Sequence, residues 1–296
     1  TLGRSEQRGC SRVSAERPLS AVDEPGGALE LPLAASGRDA VSVAMECSRA
    51  ATRIIQEGYG RASVAGVKGR GNVVTETDLA VERAVADLLS REFPEHAILG
   101  EESMAATRSD GWMWVVDPLD GTKNFSRGIP HFAFTLALCV EQEPVLGLTT
   151  HPLLGETFLA LSGRGATLNG AAVTVSACES VKEAVVAIDL GYHDGRAAEQ
   201  LDLARRLWPG MQSLRITGSA ALGFAYVAAG RWDIYVHADL EPWDSAAGLL
   251  LVREAGGVAM QRDGRRAGLD SRAVVAATPG VYGDFTKLAK DLPRDG

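Results

Sequence analysis

An apolar run, Trp112 to Val116, leads straight into Asp117-Pro118-Leu119-Asp120-Gly121-Thr122, and a second apolar run, Phe132 to Val140, follows closely. This arrangement constrains the fold more than any other feature of the chain. Both runs have the length and the β-branched or aromatic content of buried strands. Two carboxylates three residues apart therefore lie at the edge of a core. Pro118 is expected to lead the chain out of regular pairing, leaving the Leu119 carbonyl free while its side chain turns inward. Asp120 then returns a second carboxylate to nearly the position of Asp117. Gly121 permits close backbone approach to a ligand, and the N–H groups of Gly121 and Thr122 can open onto an anion. The same residue types are favoured in ordinary surface turns, and the six residues alone fit either reading. Their place between two buried segments favours a site, because uncompensated carboxylates there are costly. A cation is the simplest compensation. Two carboxylates and a carbonyl are hard oxygen ligands, suited to Mg2+ rather than to zinc or copper.

Acids recur beside turn residues at three other places: Gly100-Glu101-Glu102-Ser103, Thr75-Glu76-Thr77-Asp78 and Trp243-Asp244. The first and third have purely structural readings, and the second is a weaker member. Glu101 and Glu102 fit a solvated first helical turn, and Asp244, like Ser219 after Gly218, fits a helix N-cap. Taken together and in this order, they point to one acidic site.

The net charge of −8, with no dense Lys/Arg block, argues against a nucleic-acid partner. It also sits oddly with an anionic substrate unless a divalent cation intervenes. No apolar run approaches the ~20 residues of a membrane span, and a cytoplasmic location is expected. Cys10, Cys47, Cys139 and Cys178 form no CxxC pair and read as reduced thiols.

The 296 residues suffice for one large domain or two tightly packed halves. Residues 1–37 lack apolar periodicity and are expected to be a disordered extension or tag. Helical spacing begins at Asp39 and stops at Gly58, and a second helix starts near Thr77 after a Gly-rich stretch. Successive strands then follow to Leu161. From Ala184 strands and helices alternate: helices at Arg196–Leu207, Ser219–Ala229 and Asp244–Ala255, strands at Leu214–Thr217, Trp232–Val236 and Ala273–Ala276. This predicts an α+β half over 38–165 carrying the metal site and an α/β half over 166–292 completing it.

The extended motif Trp114 to Phe125, with Gly100–Ser103 and Pro242-Trp243-Asp244-Ser245-Ala246-Ala247-Gly248, resembles the inositol monophosphatase family, a branch of the lithium-sensitive, magnesium-dependent phosphatases. Val74–Asp78, Gly218–Ala221 and Glu254–Gly257 support the resemblance, which spans roughly Asp39 to Asp291. It implies a layered αβαβα sandwich of mixed α+β and α/β character, a homodimer, and two to three Mg2+ per site. Glu101, Asp117 and the Leu119 carbonyl would hold the first ion, and Asp117, Asp120 and Asp244 the second. Glu101 and Asp78 would hold a weaker third. Thr122 and Glu101, with Asp78, would form the catalytic set that positions the attacking water. Gly121 and Thr122 would bind phosphate, and Asp120, Ala220, Asp244 and His237 would face the alcohol. Lys68 falls near a family lysine close to the metals.

The implied substrate is a small phosphorylated metabolite, inositol monophosphate first. Histidinol phosphate and fructose 1,6-bisphosphate are the alternatives, and a metal- or phosphometabolite-binding protein is the non-enzyme alternative. One departure bears on that order. Animal members of the family carry a Glu seven residues before the Trp-Asp aspartate, where this chain has His237, so the fixed negative charge is lost.

Overall fold

Residues 30–61, 64–68, 72–102 and 111–288 are described by a computed structural model. Val43, Ala44, Cys47, Ala51 and Ile55 recur at helical spacing and form the buried face of α1 (Ala40–Gly58). Asp39 caps that helix by accepting the Ser42 N–H at 2.8 Å. The Gly-rich stretch, whose sequence suggests only a loop, includes a two-stranded antiparallel ribbon, β1 (Val64–Lys68) and β2 (Asn72–Thr75). It leads into α2 (Glu76–Glu92) through a capping box of Thr75 and Asp78.

A seven-stranded sheet follows in chain order: β3 (Ala97–Gly100), β4 (Trp112–Asp120), β5 (Ala133–Val140), β6 (Glu143–His151), β7 (Glu156–Leu161), β8 (Ala166–Leu168) and β9 (Ala171–Val173). Short helix α3 (Thr122–Ser126) interrupts it after β4. Only β3 and β4 pair in parallel. The second part of the chain comprises β10 (Val185–Asp189), α4 (Asp194–Leu207), β11 (Ser213–Ile216), α5 (Ala220–Ala228), β12 (Ile234–His237), α6 (Pro242–Glu254), β13 (Val258–Met260), β14 (Val274–Ala277) and α7 (Pro279–Leu288). Its five strands form a second sheet in the order β11-β10-β12-β14-β13, with β10, β11 and β12 parallel.

Alternation along the central strands explains why they read as unbroken apolar runs. Trp114, Val116, Phe134, Leu136 and Leu138 face α1 and α2. Met113, Val115, Ala137 and Cys139 face α6 through Ala246 and Ala247. Helices α5 and α6 fill the space between the sheets, and α4 and α7 cover the outer face of the second. The layers are αβαβα, as expected. The middle layer is packed to backbone contact: a Cβ on Gly147 would fall 2.7 Å from the Ala247 carbonyl oxygen, and one on Gly248 2.5 Å from Phe224 Cβ.

Two boundaries move. Part of the segment expected to be a disordered extension is built into the fold: Leu33 bridges to Asp39, Ala34 is buried, and the Ala35 N–H donates to the Glu92 carbonyl at 2.7 Å. Residues 1–29, including Cys10, lie outside the described residues. The division expected at 165/166 shifts to beyond Val173, because β8 and β9 complete the first sheet. Each is three residues long, too short to leave a periodic signature.

Candidate active site

Strand β4 continues past Asp117 as far as Asp120. Asp117 pairs with Thr135 and Asp120 with Ala133, so the register against β5 slips by one residue across Pro118-Leu119. Proline cannot donate to the ladder, and a bulge is where a sheet tolerates it. The Leu119 carbonyl, expected to be free, lies 2.8 Å from the Thr122 Oγ1 and is one of two acceptors within reach of that hydroxyl's proton. One lone pair of the carbonyl remains. Gly121 then adopts φ 84°, with its missing Cβ 3.1 Å from the His131 carbonyl and 3.2 Å from that of Gly218. Only glycine meets both conditions.

A cavity of about 480 Å3 opens here, lined by Glu101, Asp117, Leu119, Asp120, Gly121, Thr122, Ala220, His237 and Asp244, among others. Nine of the residues expected to form the site are thus brought together. Asp117 is 2% exposed. Burial pushes its carboxyl well above the usual range, and the charges of Glu101, Asp120 and Asp244 push it further. Asp120 is raised to about 7, by burial first, against hydrogen bonds from Ser219 and the Ala220 N–H. Asp244 is raised by desolvation despite the Glu241 N–H that its Oδ2 accepts at 2.7 Å. The structural reading of Ser219 holds, since it caps α5; Asp244 is not the N-cap expected of it, because α6 starts two residues earlier with Glu241 as N-cap, and Asp244 closes the capping box from the third helical position.

Desolvated carboxylates that raise one another's pKa are a set short of positive charge. Their oxygens, with the Leu119 carbonyl, are donors of the type a hard divalent cation takes. The residues present fit such an ion. Among the described residues no three carboxylates already close around one point, so the set converges on a cavity and is not a finished cage.

Asp78 is the exception. It is fully buried, is absent from the cavity lining, and both of its oxygens are engaged. Oδ2 accepts from the Thr75 N–H at 2.9 Å and from the Thr75 hydroxyl, and Oδ1 lies 2.9 Å from the Thr122 Oγ1. It reaches the site only through Thr122. Lys68 ends β1, and its side chain, like Ser103, lies outside the described residues.

Among the cavity residues that escape the sequence reading are Asp189, Tyr192, Asp239 and Glu241, and Lys123 enters that reading only as part of the extended motif, without a role. The Lys123 ammonium sits 4.4 Å from the Tyr192 ring centroid and is the only Lys or Arg among the described residues of the lining. Asp189 and His237 end adjacent parallel strands and pair in register. Ligands of such sheets gather at the carboxyl ends of the strands, and that rule, applied to the Ala184–Leu190 strand, would have singled out Asp189.

Similarity to known proteins places the chain in a class of enzyme, the phosphoric monoester hydrolases. "Inositol monophosphatase 2" of Solanum lycopersicum is 38% identical over 244 residues, covering 80% of this chain and 92% of that protein. "Nus factor SuhB" of Escherichia coli K12 is 35% identical over 245 residues, covering 81% and 92%. The solved IMPase of Thermotoga maritima superposes with a TM-score of 0.79 at 32% identity, covering 85% of this chain and 97% of that one. Residues 38–293 match the model of the inositol monophosphatase family. The chain belongs to that family, whose members are phosphatases.

Proposed function

We propose that the protein is a Mg2+-dependent phosphomonoesterase acting on a small polyol phosphate, with inositol monophosphate first. The observation that carries this reading is the convergence of Glu101, Asp117, Asp120 and Asp244 on one cavity, with buried carboxyls raised for want of a counter-charge. These residues and the Leu119 carbonyl would hold the cations. A divalent ion bound there supplies positive charge against a transferring phosphoryl group and its leaving oxygen.

The chain's own part is positioning. Thr122 Oγ1 carries a single proton and has two acceptors, Asp78 Oδ1 and the Leu119 carbonyl, so its orientation is fixed whichever it serves. A hydroxyl whose proton is so engaged keeps its lone pairs open to a proton of the attacking water, in concert with Glu101. Asp78 contributes by holding Thr122 and not as a ligand of a third ion. The N–H groups of Gly121 and Thr122 receive the phosphate. The Glu101 contact with water and the phosphate contacts follow the family resemblance.

His237 faces the alcohol. Its Nδ1 accepts the Asp239 N–H at 3.0 Å, which assigns the proton to Nε2. Burial lowers its pKa against the pull of Asp189 and Asp239, so a neutral donor stands where the animal enzymes have a carboxylate. Replacing His237 with Ala is expected to raise KM for inositol 1-phosphate about 10-fold, the worth of roughly one hydrogen bond. Hydrolysis of a small aryl phosphate should not change, and equal loss on both esters removes His237 from substrate recognition.

The relatives include proteins named Nus factor, but no feature of this site favours a non-catalytic binder. Phosphate release from inositol 1-phosphate, histidinol phosphate and fructose 1,6-bisphosphate, with and without Mg2+ and Li+, decides the matter. Mg2+-dependent turnover inhibited by Li+ is expected, fastest on the inositol ester. No metal-dependent release across the panel would sink the proposal.

A further inference from the structure

Asp120 does not stand alone at the rim of the first sheet. Its carboxylate is clamped by the start of α5: Oδ1 accepts the Ala220 N–H at 3.0 Å, and Oδ2 accepts the Ala221 N–H at 3.1 Å and the Ser219 hydroxyl. A helix N-terminus is a favourable seat for a carboxylate, and three donors fix which lone pairs remain for another ligand. The clamp is itself held from behind. Asp189 Oδ1 accepts the N–H groups of Thr217 at 2.9 Å and Gly218 at 2.6 Å, and its Oδ2 accepts the Tyr235 hydroxyl at 3.0 Å. Gly218, at φ 74°, turns the chain from this anchor into the helix.

Tyr235 locks the same arrangement one helical turn further on. A Cβ on Gly223 of α5 would lie 2.5 Å from the Tyr235 ring, so the ring lies flush against the helix backbone. From α3, the Asn124 amide donates to the Thr217 carbonyl at 2.7 Å. The segment 217–221 is thus held between Asp189 behind and Asp120 in front. Both carboxylates are buried, at 4% and 8% exposed. All of the hydrogen bonds that orient Asp120 depend on where Asp189 puts that segment.

We propose that Asp189 is a positioning residue that sets the divalent-cation affinity of the site by fixing segment 217–221 and, through it, the Asp120 carboxylate. The inference rests on the reading of Asp120 as a cation ligand. Residues that orient a ligand from behind commonly change metal affinity 10- to 100-fold when removed.

The test is calorimetric titration of the full chain with MgCl2, without substrate. The unaltered protein should bind Mg2+; if it does not, the cation reading fails before Asp189 is at issue. Asp189→Ala should weaken binding ~10-fold or more, and its lost turnover should recover as Mg2+ is raised. Two further variants separate position from charge, and they decide the question alone if Asp189→Ala does not fold. Asp189→Asn keeps an acceptor for both N–H groups and should stay within about threefold of the unaltered protein, less than the tenfold that ~1.4 kcal/mol represents. Asp189→Glu keeps the charge but displaces it by a methylene and should weaken binding as Ala does. Unaltered binding in folded Asp189→Ala overturns the proposal, as does an impaired Asn variant beside a normal Glu variant.

Discussion

Replacing Asp117 with Asn should lower kcat/KM on the order of 10³-fold, equivalent to ~4 kcal/mol of lost transition-state stabilisation. Asp117 is the most enclosed of the converging carboxylates and feels the charges of the other three. An amide fills the same space, and its oxygen can still accept the Leu119 N–H that Asp117 Oδ1 now takes at 3.0 Å. Only the charge is lost. Without added metal, the same substitution removes one of several carboxyls whose ionisation the fold opposes and should raise the melting temperature near neutral pH. Activity and stability thus move in opposite directions, as expected where a site keeps charges that the fold alone would not. Phosphatase assays and thermal melts on one preparation check both halves. A variant that loses activity and stability together would mean that Asp117 is chiefly a structural residue.

The second large effect is on pH. Asp117, Asp120 and Asp244 all have folded-state pKa values above the ordinary carboxylate range, Asp120 at about 7. Across that interval the folded protein holds protons that the unfolded chain, with carboxyls near 4, has released. Stability without metal is therefore greatest below pH ~4 as far as these groups are concerned, and falls as pH rises toward 7, by a few kcal/mol on the order of magnitude that such shifts carry. A divalent cation competes with the same protons, so its stabilising effect should grow over the same interval. Melting temperatures at pH 5, 6 and 7, with and without MgCl2, are expected to diverge as pH rises. A Mg2+-induced shift that is constant with pH would show that the ion does not displace those protons.

Much of the site is legible in the sequence because its pieces are local. Asp117 to Thr122 is one bulged strand end running into a helix, and the oxygens proposed to hold a cation lie there within a few residues of one another. Helix starts betray Asp244, and the aromatic and β-branched runs betray the central strands. Asp189 was hidden for the opposite reason. Its partners Thr217, Gly218 and Tyr235 are distant in the chain and meet it only across parallel strands of the second sheet. Residue type marks Asp78 only as a candidate ligand, and neither its capping box with Thr75 nor its contact with Thr122, 44 residues away, is legible from type alone. Strands β8 and β9 and the ribbon β1–β2 are set by pairing and not by periodicity. Sequence patterns report periodicity, and short strands have none.

The clamp of α5 on Asp120 has a consequence for the molecule as a whole. Asp120 belongs to the first sheet, whereas Ser219 caps α5 and Ala220 and Ala221 open it, so a cation held by Asp120 would have its affinity thermodynamically linked to the docking of the two sheets. By reciprocity, whatever tightens one tightens the other by the same factor. A substitution deep between the sheets, far from any ligand, should then register as an altered Mg2+ requirement before it registers as a loss of fold.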